Sequence, residues 1–168
     1  MKGRTILLLA AIGTVLALSA GAAAAEFQAQ ATITCDPGPP ERCVGTPRHD
    51  VITGSIKGDD IYARAGADFV DARNGHDHVF GGPGDDLPGK GGGLEGGPGN
   101  DEVFGQRGDD TVRDEAGSDD DHLFGGPGND FVNGVDGDNL DLVSCGRGRD
   151  FFDADPGDTV LDNCERPL

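Results

Sequence analysis

An aspartate recurs every nine residues at Asp50, Asp59, Asp68, Asp77 and Asp86. Two places after each of the first four stands a large apolar residue: Ile52, Ile61, Val70 and Val79. Pro88 breaks the pattern, which resumes with Asp101 and Val103, then Asp110 and Val112. Two-residue insertions precede Asp121 with Leu123 and Asp141 with Val143, while Asp130 with Val132 and Asp150 with Phe152 keep the nine-residue step. The best copies before the acid read GGPGDD at 81–86 and GGPGND at 96–101 and 125–130, so the unit is G-G-x-G-x-D-x-U-x, with U large and apolar. Glycine permits backbone angles closed to other residues and lets carbonyl oxygens approach an ion. Each turn thus offers carbonyls and one carboxylate, an all-oxygen donor set that suits a hard cation such as calcium. The glycines in this role are Gly81, Gly82 and Gly84, Gly96, Gly97 and Gly99, Gly105 and Gly108, and Gly125, Gly126 and Gly128.

Such turns need short strands to hold them. Residues flanking U alternate in polarity, which predicts a very short strand with U pointing inward. Two units would complete one coil, stacking turns of the same side about 18 residues apart, as for Asp68 and Asp86. One apolar residue per unit makes a thin core for so many ordered residues. Several ions that bind only the folded form are therefore expected to supply the missing stability.

Charge points the same way. The 31 acidic residues outnumber 13 Lys and Arg, giving a formal net charge of −18. All the acids lie beyond residue 25. That field repels nucleic acid and anionic membrane, and it opposes compaction unless cations neutralise it. With 30 Gly and no Trp, the composition alone is that of a disordered chain.

The stretches GGPGDDLP, GGPGNDEVF and GGPGNDFVN, with weaker copies ARAGADFVD and GQRGDDTVR, resemble the repeats-in-toxin (hemolysin-type, RTX) calcium-binding nonapeptides. The resemblance spans roughly residues 45–153. It implies an all-β fold, a right-handed parallel β-roll (a β-solenoid), that binds several Ca2+ ions through Asp carboxylates and glycine-turn carbonyls. The liganding acids it implies here are Asp86, Asp101, Asp110 and Asp130, then Asp68, Asp77, Asp121 and Asp150. Turns 45–50 (GTPRHD) and 54–59 (GSIKGD) lack the fourth-position Gly, so weak or absent ion sites are expected there. KGGGLE at 90–95 reads as a shortened repeat without Asp, where the ion column is expected to break.

The ends read differently. Lys2 and Arg4 precede an apolar run, Ile6 to Ala20, followed by an A-x-A site at Ala23–Ala25, which reads as a cleaved signal peptide over 1–25. The exported chain is then secreted and keeps no membrane segment. Four Cys in such a chain predict two disulfides with three possible pairings. The local pairings are expected, Cys35 with Cys43 and Cys145 with Cys164. They would pin an N-terminal cap at 26–44 and a C-terminal cap at 154–168 around the repeats at 45–153, because terminal coils lack a neighbour.

A catalytic reading finds little. There is no H-E-x-x-H or G-x-S-x-G motif. His49, His76, His78 and His122 fall at variable outward positions, and the acid pairs Asp85–Asp86 and Asp109–Asp110 recur at repeat positions. The expectation is a non-enzymatic calcium-binding protein. The alternatives are an adhesion protein that uses calcium only as scaffold and a hydrolase with an unrecognised site. Phe80, Phe104 and Phe124 share position nine on the outer face, either as isolated shields or as an apolar stripe for a partner.

Overall fold

A three-residue strand buries almost nothing alone, so its inward residue must stack on its counterparts in neighbouring coils. The computed structural model describes residues 31–35, 42–87, 93–114, 116–161 and 163–165, and the expected signal peptide lies outside them. Its strands, β1 to β14 in chain order, alternate between two sheets of seven. The first sheet holds Ala31–Thr34 (β1), Asp50–Thr53 (β3), Phe69–Asp71 (β5), Leu94–Glu95 (β7), Thr111–Arg113 (β9), Phe131–Gly134 (β11) and Phe151–Ala154 (β13). The second holds Cys43–Val44 (β2), Asp60–Tyr62 (β4), His78–Pro83 (β6), Glu102–Arg107 (β8), His122–Pro127 (β10), Leu142–Arg147 (β12) and Thr159–Val160 (β14). Neighbours in each sheet pair in parallel, which makes the chain a β-solenoid. Among the described residues no helix is long and apolar enough to cross a membrane.

The core is the row of U residues. Ile52, Val70, Leu94, Val112 and Val132 from one sheet face Ile61, Val79, Val103, Leu123 and Val143 from the other, all fully buried. Register follows from this row, because a one-residue slip would turn every apolar side chain outward.

KGGGLE is not a shortened repeat. Leu94 takes the inward place between Val70 and Val112, pairing with one on each side. The Val70 N–H donates to the Gly93 carbonyl at 3.0 Å, and the Thr111 N–H donates to the Asp86 carbonyl at 2.9 Å. Six residues, 87–92, are therefore inserted between Asp86 and the strand that should follow it. The coil lengthens there and the stack continues.

Both local disulfides form, Cys35–Cys43 with Cα atoms 5.5 Å apart and Cys145–Cys164 at 4.9 Å. They lie at opposite ends of the stack, one beside β1 and β2, the other joining β12 to the segment after β14. Closing a loop the size of the second is worth about 3 kcal/mol.

The position-nine aromatics are not isolated. Tyr62 stacks on Phe80 at 4.9 Å, Phe80 on Phe104 at 5.1 Å and Phe104 on Phe124 at 4.7 Å between ring centroids, all within 12° of parallel. The Arg42 guanidinium lies 5.3 Å over the Tyr62 ring and closes one end. Parallel pairing places one ring above the next at strand spacing, so each spends its faces on its neighbours. Phe104→Ser removes two ring contacts from the middle. Thermal unfolding of the calcium-loaded protein should show a loss of about 2–3 kcal/mol; an unchanged midpoint would mean that the rings contribute nothing to the roll.

Candidate metal sites

The turns join the two sheets along two edges, and each edge carries one column of aspartates. On the first, the N–H of each Asp donates to Oδ1 of the Asp one coil further on: Asp50 to Asp68 at 2.8 Å, Asp68 to Asp86 at 2.7 Å, Asp86 to Asp110 at 2.9 Å, Asp110 to Asp130 at 2.9 Å and Asp130 to Asp150 at 2.9 Å. On the second the ladder runs Asp59 to Asp77 at 2.6 Å, Asp77 to Asp101 at 2.7 Å, Asp101 to Asp121 at 2.7 Å and Asp121 to Asp141 at 3.0 Å. The step from Asp86 to Asp110 crosses the inserted segment, so the ladder of aspartates continues past 90–95.

Each of these bonds uses one carboxylate oxygen and leaves the other. Oδ2 of Asp68, Asp77, Asp86, Asp101, Asp110, Asp121, Asp130, Asp141 and Asp150 is buried without a hydrogen-bond partner. A buried carboxylate oxygen without a partner is costly, and either a proton or a cation relieves it. Burial raises the carboxyls of Asp68, Asp77 and Asp110 from 3.8 to about 6, against the pull of the backbone N–H each accepts. It carries Asp121, Asp130 and Asp141 to about 7, Asp86 to about 8 and Asp101 to about 9, with neighbouring aspartates adding to the rise. A column of desolvated, mutually repelling carboxylates is a donor set that a hard divalent cation fits.

The carboxylates of the first two turns accept an additional backbone hydrogen bond. The second oxygen of Asp50 accepts the Thr46 N–H at 2.6 Å, and that of Asp59 accepts the Ser55 N–H at 2.7 Å. Neither residue is among those with a buried, unpartnered carboxylate oxygen.

Glycine at the fourth position is required by the stack. A Cβ on Gly84 (φ +154°) would lie 1.6 Å from the Gly66 carbonyl oxygen of the preceding coil. Arg48 and Lys57 hold the same position in the first two turns, where Gly66 and Gly75 of the next coil are the ones that must lack a side chain against their backbone.

The RTX calcium-binding nonapeptide repeat model matches four times, at residues 44–78, 53–88, 94–113 and 115–140. Together with the orphan-oxygen columns, this decides the family. The chain belongs to the RTX calcium-binding repeat proteins. No curated protein matches it, and no solved structure matches it. As an RTX chain it binds calcium, and its stacked acidic turns fit several ions.

Of the RTX ligands expected from sequence, Asp68, Asp86, Asp110, Asp130 and Asp150 share the first edge with turns 81–86, 105–110 and 125–130. Asp77, Asp101 and Asp121 share the second with turn 96–101. Sequence reasoning missed four acids on that second edge. Asp141 joins the column itself, and Asp136 and Asp138 also hold buried, unpartnered Oδ2 atoms. Asp114 is wholly buried. Asp121, Asp136 and Asp141 form one group of carboxylate oxygens within 4.8 Å of one another, and Asp138, Asp141 and Asp158 form another. The two insertions in the nine-residue step were the signal, since both fall on this edge. The histidines do not converge: His76 Nδ1 accepts the Asn100 N–H at 3.0 Å, while His78 Nδ1 meets Asp60 Oδ1 at 3.0 Å.

Proposed function

We propose that this RTX chain is an exported, non-enzymatic protein whose roll assembles when it meets extracellular calcium. The observation that carries this reading is the pair of edge columns in which each aspartate from Asp68 to Asp150 keeps one buried, unpartnered carboxylate oxygen. Asp68, Asp86, Asp110, Asp130 and Asp150 would hold ions along one edge, and Asp77, Asp101 and Asp121 along the other, with the glycine-turn carbonyls completing each set. Bound calcium supplies charge neutralisation and a tie between adjacent turns. Extracellular modules of this kind bind at about 10⁻⁴–10⁻³ M, far above cytosolic calcium, so the chain would cross the membrane open and condense outside. The two disulfides fit an oxidising compartment.

Calorimetric titration with calcium tests this. Wild type should take up several ions, and an absence of heat would end the proposal. Asp130→Ala removes an orphan oxygen and the acceptor of the Asp110 N–H, so it should raise the calcium needed for folding several-fold, at a cost of about 1.5–3 kcal/mol. Asp50→Ala, whose carboxylate Thr46 already satisfies, should leave the number of bound ions unchanged.

Other readings have less support. Asp86 is buried in its column while Asp85 is exposed and accepts the Asp109 N–H at 3.0 Å, so the pair does not face one scissile bond as a glycosidase requires. Ester, peptide and glycan substrates should remain intact with the calcium-loaded protein. An adhesive role would rest on the aromatic row, whose ring faces are already taken by one another.

A further inference from the structure

The first position of the repeat also forms columns. On the second edge it holds Gly54, Ala72, Gly96, Asp114 and Gly134, as the bonds from the Gly54, Ala72, Gly96 and Asp114 N–H groups to the Asp71, Glu95, Arg113 and Asn133 carbonyls show. On the first edge the corresponding residues include Gly45, Ala63, Gly81, Gly105 and Gly125. Asp114 therefore puts a carboxylate where its neighbours in the stack have a hydrogen or a methyl group.

The surroundings of Asp114 show where that carboxylate goes. Its Oδ2 accepts the Gly97 N–H at 2.7 Å and its Oδ1 the Ala116 N–H at 3.1 Å, the latter from within the lengthened turn. A Cβ built on Gly96 would meet Asp114 Oδ2 at 2.4 Å and Asp101 Oδ2 at 2.7 Å, so the two oxygens converge over that glycine. Asp101, Asp114 and Asp121 each bring a carboxylate oxygen within 4.8 Å of those of the other two, and all three residues are buried. Oδ2 of Asp101 and of Asp121 has no hydrogen-bond partner, and these residues are only 1% and 0% exposed.

We propose that Asp114 joins Asp101 and Asp121 to make one site of the second column carboxylate-rich, so that it binds a hard cation more tightly than the ordinary turns and can take a trivalent ion. It rests on the calcium reading of the roll and deepens it at one step of that column. An ordinary turn contributes one aspartate per step of its column, with carbonyls for the rest. Here three buried carboxylates meet, and affinity at oxygen sites rises with the number of charged ligands. A divalent ion leaves one of the three negative charges uncompensated, whereas a trivalent ion matches them. The two residues added between Asp110 and Asp121 lengthen this turn and supply the Ala116 N–H that holds Asp114 inward.

Calorimetric titration of the full exported chain with calcium, and separately with terbium(III), tests the site. Wild type should show one strong step ahead of the weaker ones, tighter for terbium than for calcium. Asp114→Gly installs the residue found at this place in both adjacent coils, and Asp114→Asn keeps the shape without the charge. Both should weaken the strong step by about tenfold or more while the weaker steps remain, and if the glycine variant does not fold, the asparagine variant decides. Isotherms of the variants that superpose on wild type would overturn the site and leave the calcium reading standing. A wild-type chain that takes up no calcium would overturn both.

Discussion

Gly84→Ala should abolish calcium-induced folding at concentrations that fold the wild type. The added methyl would sit 1.6 Å from the Gly66 carbonyl oxygen and 2.7 Å from its carbon, at a φ of +154° that side chains rarely adopt. The obstacle is backbone of the adjacent coil, which cannot rotate away as a flexible side chain would. Separating the coils would stretch the parallel ladder and the aspartate column together. A cost above about 4 kcal/mol is expected, in the range reserved for severe lesions. Arg48→Ala is the control: this residue occupies the same repeat position one coil before Gly66 and already carries a side chain, so its calcium titration should match wild type. Far-ultraviolet circular dichroism against calcium reads both. A Gly84→Ala protein that folds normally would show that the coils are not packed this closely.

Acid should substitute in part for the metal. In the folded, metal-free chain, burial holds Asp68, Asp77 and Asp110 at about 6, Asp86 at about 8 and Asp101 at about 9, all from 3.8. The folded state therefore binds more protons than the unfolded one between about pH 4 and about pH 9. Stability contributed by groups raised in this way is complete below their unfolded value and is lost as pH climbs through the folded values. A tenfold change in proton affinity is worth about 1.4 kcal/mol. Ionising the carboxyls raised in this way therefore opposes folding, and both columns act in the same direction. Chelator-treated protein should be open at about pH 8 and gain sheet signal as the pH falls towards about 4. A sheet signal that declines on acidification would mean that the columns do not carry the buried charge described.

Much of the fold was legible because the repeat is short and its inward position unforgiving. Residues from Ile52 to Val143 that the nine-residue ruler marked as inward are fully buried; Pro88, where the pattern broke, lies outside the described residues. The ruler failed there because it measures spacing along the chain and not which strands stack. GGG followed by Leu-Glu imitates a repeat, whereas the stack required only that some apolar residue reach the inward place, and Leu94 does so. The aromatic row was visible as a shared position but not as a ring stack, since stacking depends on parallel register between coils 18 or more residues apart. Position six marked the acids that line up in the two aspartate columns, though Asp141 was not singled out as a ligand. Asp114, Asp136 and Asp138 escaped because insertions shift turn residues out of repeat numbering, and only the folded turn shows which of them point inward. The weaker copies also concealed strain: Arg64 (φ +82°) and Gln106 (φ +77°) adopt the left-handed angles that Gly82 and Gly126 take in better copies, at about 1–2 kcal/mol each.

Circular dichroism of the protein near neutral pH, stripped of metal and then given calcium, is the most direct test of whether ions hold the coils together. The expected result is a disordered spectrum with chelator, converting to parallel sheet as calcium reaches the millimolar range and reverting when it is removed. Metal-free protein that is already compact and sheet-rich at that pH would contradict the claim that cations on the aspartate columns make this roll.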